Sequence, residues 1–298
     1  MFAEFANTLL RKRSHAILTV LIASVLPFGA WLGAVTMSFV TLRKGIQQGF
    51  IILLWCLLPS VVMTYFYGFW VAWESIVLCY FLLWLLSALL RITANWAVVM
   101  NTAVAFGLLS VLGFYAWMGD GQQYWLEHLI PVYQRVADYS QMAVTHEQLI
   151  AIARDTAECI TGLQVAMLLL GDLVYLALAR GLQAKLFNPG GLRDELMNVH
   201  LPLSMTFMWV GVWCVAWMQS NMAYDFLPVI LLPFLLTGLS LVHRFRVVWQ
   251  AKWHWLIGFY ALLFAFFPYI AAGLIGIAIL DSCFDLRKRY GAKPLASV

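Results

Sequence analysis

Charge is scarce in this chain. Only 11% of its 298 residues are Asp, Glu, Lys or Arg, and 63% are hydrophobic, whereas a soluble globular domain carries roughly 25% charged and 45–50% apolar residues. A water-soluble fold of this size could not cover its surface with so little charge. A disulfide framework is also missing. The five cysteines are odd in number, with Cys56, Cys79, Cys159 and Cys214 inside apolar runs and Cys283 near the basic C-terminus, and they show no zinc spacing. The six histidines (His15, His128, His146, His200, His243 and His254) form no His-x-x-x-His or His-Glu-x-x-His pair, so no metal site is expected. There is no Gly-x-Ser-x-Gly elbow and no pair of intramembrane aspartates, and enzyme chemistry is not expected. The turn Phe187-Asn188-Pro189-Gly190-Gly191 lacks the Lys-Ser/Thr of a phosphate-binding loop, which excludes the usual nucleotide cofactors. The net charge of +4 comes from basic residues scattered at segment ends, not from the basic face that nucleic acid requires.

What the sequence has instead is long apolar runs. Crossing the roughly 30 Å hydrocarbon layer takes about 17–25 helical residues, and six blocks are long enough to be complete spans: about 48–67, 70–90, 95–117, 157–179, 202–218 and 226–243. The fold class is therefore all-α, a polytopic integral membrane helical bundle, read as one transmembrane domain over residues 1–298. Fourteen Trp and twelve Tyr fit the same class, because amphipathic rings collect at the two membrane interfaces. Arg11, Lys12 and Arg13 precede an apolar run as in a signal peptide. Cleavage is not expected, because the run continues past Ala30 and Ala34 to Val40 and on into further membrane segments.

Two further apolar blocks, 16–41 and 253–280, are longer and carry Pro27 and Pro268 near their middles, where proline kinks or breaks a helix. Charge placement decides how they run, since Lys and Arg in short loops stay on the cytoplasmic side. With each long block counted as a single span there are eight crossings, and the 18 basic residues divide evenly. With each block turning back, 16 of the 18 lie on the side of the N-terminus, all but Arg135 and Arg154. The preferred topology has six full spans plus two proline-broken hairpins, in a bacterial inner membrane with both termini cytoplasmic, and eight spans remain the alternative. The polar stretch at about 118–156 then lies outside. Its Trp125, Leu126, Leu129, Ile130, Val132 and Val136 suit a helix on the membrane surface or over a cavity, or a plain connector.

Acidic residues at membrane depth are costly and mark candidate sites. Asp172, in Gly171-Asp172-Leu173-Val174-Tyr175, lies deep within its block, and Glu74 lies about one turn from the end of its own. Asn101 and Thr102 place amide and hydroxyl groups at comparable depth and are the expected neighbours of Asp172. Gly29, Ala30, Gly33 and Ala34 form a doubled small-xxx-small pattern, which suits close helix packing within the chain or against a membrane-protein partner. Arg287, Lys288 and Arg289 follow Asp281 and Asp285 at the membrane edge and are expected to orient and anchor the chain on an anionic leaflet.

Three stretches carry a family resemblance: Val40-Thr41-Leu42-Arg43-Lys44-Gly45, Phe187-Asn188-Pro189-Gly190-Gly191-Leu192-Arg193, and Asp281-Ser282-Cys283-Phe284-Asp285-Leu286-Arg287-Lys288-Arg289. With the hydropathy layout of nearly the whole chain, they resemble the YybS-like bacterial membrane proteins, a family known chiefly as a domain of unknown function. That family is distantly similar to the substrate-binding membrane components of energy-coupling-factor vitamin transporters, which have six spans and dock a partner through small-residue helix faces. The resemblance implies a transporter-like or small-molecule-binding membrane component of unnamed substrate. The alternative is a scaffold for cell-envelope or membrane-complex assembly. A binding role needs a cavity with convergent polar groups near mid-membrane, reached from outside, which the 118–156 loop could cover; a scaffold needs no cavity, only an exposed small-residue or aromatic face.

Overall fold

The computed structural model of the chain describes residues 2–26, 29–67, 79–141, 145–219 and 222–290. Every regular element among them is a helix: α1 (Phe2–Arg11), α2 (Arg13–Val25), α3 (Ala30–Lys44), α4 (Ile46–Tyr67), α5 (Leu82–Thr93), α6 (Trp96–Met118), α7 (Gly121–Ser140), α8 (His146–Ala157), α9 (Ile160–Phe187), α10 (Gly191–Met197), α11 (Leu203–Gln219), α12 (Met222–Val248), α13 (His254–Ala265), α14 (Phe267–Phe284) and α15 (Leu286–Tyr290). An all-helical fold is one that lipid permits, because a helix satisfies its backbone polar groups internally where there is no water.

Four of these helices, α6, α9, α12 and α14, are long and apolar enough to cross a membrane. Three of them coincide with the expected spans 95–117, 157–179 and 226–243. The fourth comes from the block 253–280, where two short halves were expected. The break is in place, with Phe266 leaving helical geometry at ψ 41° and Pro268 in the first turn of α14, where its missing N–H has no helical partner to lose. The second half then runs on to Phe284, which gives 18 residues and full spanning length. Of the other expected spans, 202–218 forms the 17-residue α11, and 48–67 forms α4 with Pro59 inside it. The first part of the block at 70–90, with Glu74, lies outside the described residues, as does Pro27.

The chain forms two compact units. Unit one comprises residues 1–103, 168–202 and 234–298, and unit two residues 104–167 and 203–233. In unit one the block 16–41 folds back on itself. A Cβ placed on Gly33 would lie 3.9 Å from Val20 Cγ1, and one on Gly29 only 2.0 Å from the Ala23 carbonyl oxygen. Residues 20 and 33 would be about 20 Å apart along one straight helix, so α2 and α3 form a hairpin, and Gly29 and Gly33 of the small-residue pattern are occupied by α2 of the same chain. Ten consecutive residues of α3, Gly33 to Leu42, are buried. Packing on every side requires close approach. At Gly49 of α4 an added Cβ would meet Thr41 Oγ1 at 1.9 Å.

The segment after α12 also stays beside it. Tyr260 of α13 meets His243, Leu274 of α14 lies against Gly238, and Arg287 of α15 reaches the carbonyl of Thr237. All three contacts fall in the C-terminal half of α12. In unit two the expected loop 118–156 is two helices. Asp120 caps α7 by accepting from the N–H groups of Gln122 and Gln123, and Thr145 with Gln148 forms a capping box on α8. The Tyr133 hydroxyl donates to Thr156 Oγ1 at 2.9 Å and ties the two together.

Candidate functional site

A cavity of about 310 Å³ lies in unit one. Its walls are apolar, with Met100 from α6, Leu170, Leu173, Val174 and Ala177 from α9, and Leu236 and Leu239 from α12. Arg193, Ser240, His243 and Tyr260 supply its polar groups.

Local sequence explains how these groups arrive there. Helix α9 ends in the turn Asn188-Pro189-Gly190-Gly191. Gly190 takes φ +91°, a left-handed conformation that suits glycine, and Gly191 packs so closely on Asn188 that a Cβ would lie 2.3 Å from its side-chain nitrogen. The turn therefore launches α10 in a fixed direction. Arg180 of α9 then grips Glu195 of α10, its Nε 3.1 Å from both carboxylate oxygens and its Nη2 in contact with Oε1, while Trp96 Nε1 donates to Glu195 Oε2 at 3.2 Å. That clamp sets Arg193, Leu196 and Met197 against the cavity. Across it, Ser240 donates its hydroxyl to the Leu196 carbonyl at 2.5 Å, and His243 Nε2 lies 2.7 Å from the Tyr260 hydroxyl. Unit two has a pocket of about 450 Å³, but its lining of Leu112, Gly211, Val212, Val215, Ala216, Met222 and Phe226 is wholly apolar and has nothing with which to select a ligand.

Asp172 is buried, 1% exposed, and its Oδ2 has no hydrogen-bond partner among the described residues. Neighbouring residues Leu170, Leu173 and Val174 line the cavity, and Asp172 does not. The two residues expected beside Asp172 each make a bond within their own helix. Asn101 Nδ2 donates to the Ala97 carbonyl at 2.7 Å and Thr102 Oγ1 to the Val98 carbonyl at 3.0 Å, so each bonds one turn back along its own helix. Such back-bonding to the preceding turn is a common outcome for polar side chains inside a helix.

The C-terminal motif divides in two. Asp285 adopts φ +49° at the end of α14 and turns the chain, so that Arg287 folds back over Asp281. Asp281 is fully buried and Arg287 5% exposed. Arg287 Nε donates to Asp281 Oδ2 at 2.8 Å, its backbone N–H to Oδ1 at 3.2 Å, Nη1 to the Met197 carbonyl at 3.0 Å and Nη2 to the Thr237 carbonyl at 3.3 Å. Arg287 is thus an internal clamp, in place of the leaflet anchor expected of it, because the left-handed turn directs it inward. Lys288 stays exposed beside Asp285 at 2.5 Å, and its hydrogen bond holds that carboxyl below the usual carboxylate range. His200, Asp281 and Asp285 offer ligand atoms within 4.8 Å of one another, but each carboxylate already pairs with a cation that a metal ion would have to displace.

One buried acid escaped the sequence reading. Asp225, just before the block expected at 226–243, is fully buried in unit two. Its Oδ2 accepts from the Tyr115 hydroxyl at 2.7 Å and its Oδ1 from the Gly162 N–H at 2.7 Å. A Cβ on Gly162 would lie 1.7 Å from the Asp225 carbonyl oxygen. The carboxylate ties α6, α9 and α12 together with its acceptors occupied, which is a structural arrangement. The available signal was an acidic residue in the first turn of an apolar helix, where the helix dipole favours it.

No protein-family model, curated protein or solved structure matches the chain. What the site can do therefore rests on its geometry. An apolar chamber with a cation, an imidazole and two hydroxyls can hold a small molecule and orient its polar end.

Proposed function

We propose that this chain is a transporter-like, small-molecule-binding component of the bacterial inner membrane, with its ligand in the unit-one cavity. The carrying observation is that cavity: about 310 Å³, walled by apolar side chains from α6, α9 and α12, with polar groups from α10, α12 and α13. Its volume sits at the small end of ligand pockets, which run about 300–1,000 Å³.

The proposed topology has six crossings, two segments that turn back and both termini cytoplasmic. It is supported by the sixteen-to-two division of basic residues and by the return of α13 and α14 to one half of α12. On this topology Arg193, His243 and Tyr260 lie toward the cytoplasmic end, so the polar groups of the site are gathered there and not near mid-membrane. The resemblance of 187–193 and 281–289 to YybS-like proteins belongs to the same proposal. Both stretches border the cavity, the first through Arg193 and the second through the bond from Arg287 to Met197.

The experiment is native mass spectrometry of the protein released from its own membrane in mild detergent, beside a Leu173→Trp variant whose indole would fill the chamber. A small-molecule adduct on the parent chain that is absent from the variant is expected. An adduct of equal occupancy on both, or on neither, would refute the reading.

A further inference from the structure

Resting on the proposed binding role of the unit-one cavity, we infer that its ligand is a single-chain amphiphile with an anionic headgroup, a carboxylate or a phosphate monoester.

Volume restricts the apolar part. About 310 Å³ accommodates one short acyl or alkyl chain along Leu173, Val174, Leu236 and Leu239, and leaves no room for the two chains of a bilayer phospholipid. The walls do not provide selectivity, because lipid tails are as apolar as these side chains and transfer of the chain from bilayer to cavity is close to neutral. Discrimination therefore falls to the polar groups. Arg193 carries the only formal charge on the lining, and no carboxylate pairs with it among the described residues. Of the two acids that follow it in α10, Asp194 is exposed and Glu195 is already held by Arg180 and Trp96. His243 and Tyr260 share a hydrogen bond of 2.7 Å, and either can turn a donor toward an oxyanion. A guanidinium flanked by an imidazole and a phenol is a donor set for an anion, and a cationic headgroup would meet Arg193 with nothing to offset the repulsion. The carboxylate of Asp172 does not line the chamber.

The test uses the full chain in a neutral maltoside micelle. Dodecanoate, dodecyl phosphate, dodecanol, dodecyltrimethylammonium and inorganic phosphate are each titrated at matched micellar or bulk concentration, and binding is read from thermal unfolding. Dodecanoate and dodecyl phosphate should raise the unfolding temperature; dodecanol, the ammonium probe and inorganic phosphate should not. Because Arg193 is exposed, Arg193→Gln should leave the fold intact, and it should weaken both anions about tenfold, as expected for a charged hydrogen bond. Arg193→Lys should restore part of that loss. Equal binding of dodecanol with no effect of Arg193→Gln, but with displacement by Leu239→Trp, would overturn the anionic class and leave the binding role standing. Binding of inorganic phosphate as tight as that of dodecyl phosphate would overturn the amphiphile. Failure of every probe would overturn this inference alone, since the binding role is judged by the adduct carried from the native membrane.

Discussion

The buried pair of Asp281 and Arg287 makes the strongest demand on the fold. In Arg287→Met the carboxylate of Asp281, fully buried, loses the cation 2.8 Å from its Oδ2, and the carbonyls of Met197 and Thr237 lose their donors. Removing one partner of a buried ion pair costs about 3–5 kcal/mol, a large share of a stability that is typically about 5–15 kcal/mol. Asp281→Asn leaves the guanidinium two carbonyl acceptors and should fall near the low end of that range. The double variant Asp281→Leu/Arg287→Met removes both charges and fills similar volume, and such replacements are often neutral. It should therefore recover most of the loss, with a coupling of at least about 2 kcal/mol in the cycle. Denaturant unfolding in detergent micelles measures all four corners. Lys288→Gln and Arg289→Gln, which remove exposed charges, should change stability little. Single variants within about 0.5 kcal/mol of the parent, or an additive cycle, would refute the internal clamp, and equal effects at positions 287, 288 and 289 would restore a leaflet anchor.

Gly162→Ala should destabilise unit two by about 1–3 kcal/mol or more, because its Cβ would lie 1.7 Å from the Asp225 carbonyl oxygen, and Tyr115→Phe should lose about 1.5–3 kcal/mol with its bond to a charged acceptor; unfolding of either variant at parental stability would contradict the Asp225 tie. Gly49→Ala, which meets Thr41 Oγ1 at 1.9 Å, should be far more damaging than Gly273→Ala, where there is open space; comparable melting temperatures would argue against close packing of α3 on α4. At Asp172, whose Oδ2 has no hydrogen-bond partner among the described residues, Leu should be tolerated or stabilising if the residue is only structural, whereas loss of function in a stable Asp172→Asn variant would assign it a titrating role. Cysteines placed near Arg43 and Arg246 in a cysteine-free background should resist an impermeant thiol reagent in intact cells while one near Gln122 labels; the opposite pattern would favour eight spans.

Much of the architecture was legible because apolar length is a local property. The helices α6, α9 and α12 needed nothing beyond a count of apolar residues, and Pro268 announced the break before α14. The side-chain chemistry was less accessible. Tyr115 and Asp225 are separated by 110 residues, and no local pattern indicates that a phenol at one helix end will meet an acid at the start of another. Arg287 sits in a run of three cations that looks uniform; only the left-handed turn at Asp285 distinguishes the inward residue from its exposed neighbours. The burial of Asp172 follows from its depth in an apolar block, whereas the bonds of Asn101 and Thr102 to their own helix depend on side-chain rotamers that the sequence does not carry. The cavity could not be read at all, since it is assembled by α6, α9, α10, α12 and α13 from positions spread between Trp96 and Tyr260.

The most direct test of the binding role is an experimental density map of the protein reconstituted in nanodiscs straight from its own membrane. Elongated density along Leu173 and Leu239, ending within hydrogen-bonding distance of Arg193 or the His243 and Tyr260 pair, is the predicted result. A chamber closed by Leu239 packing onto Leu173, with Arg193 turned away and no density between them, would contradict it.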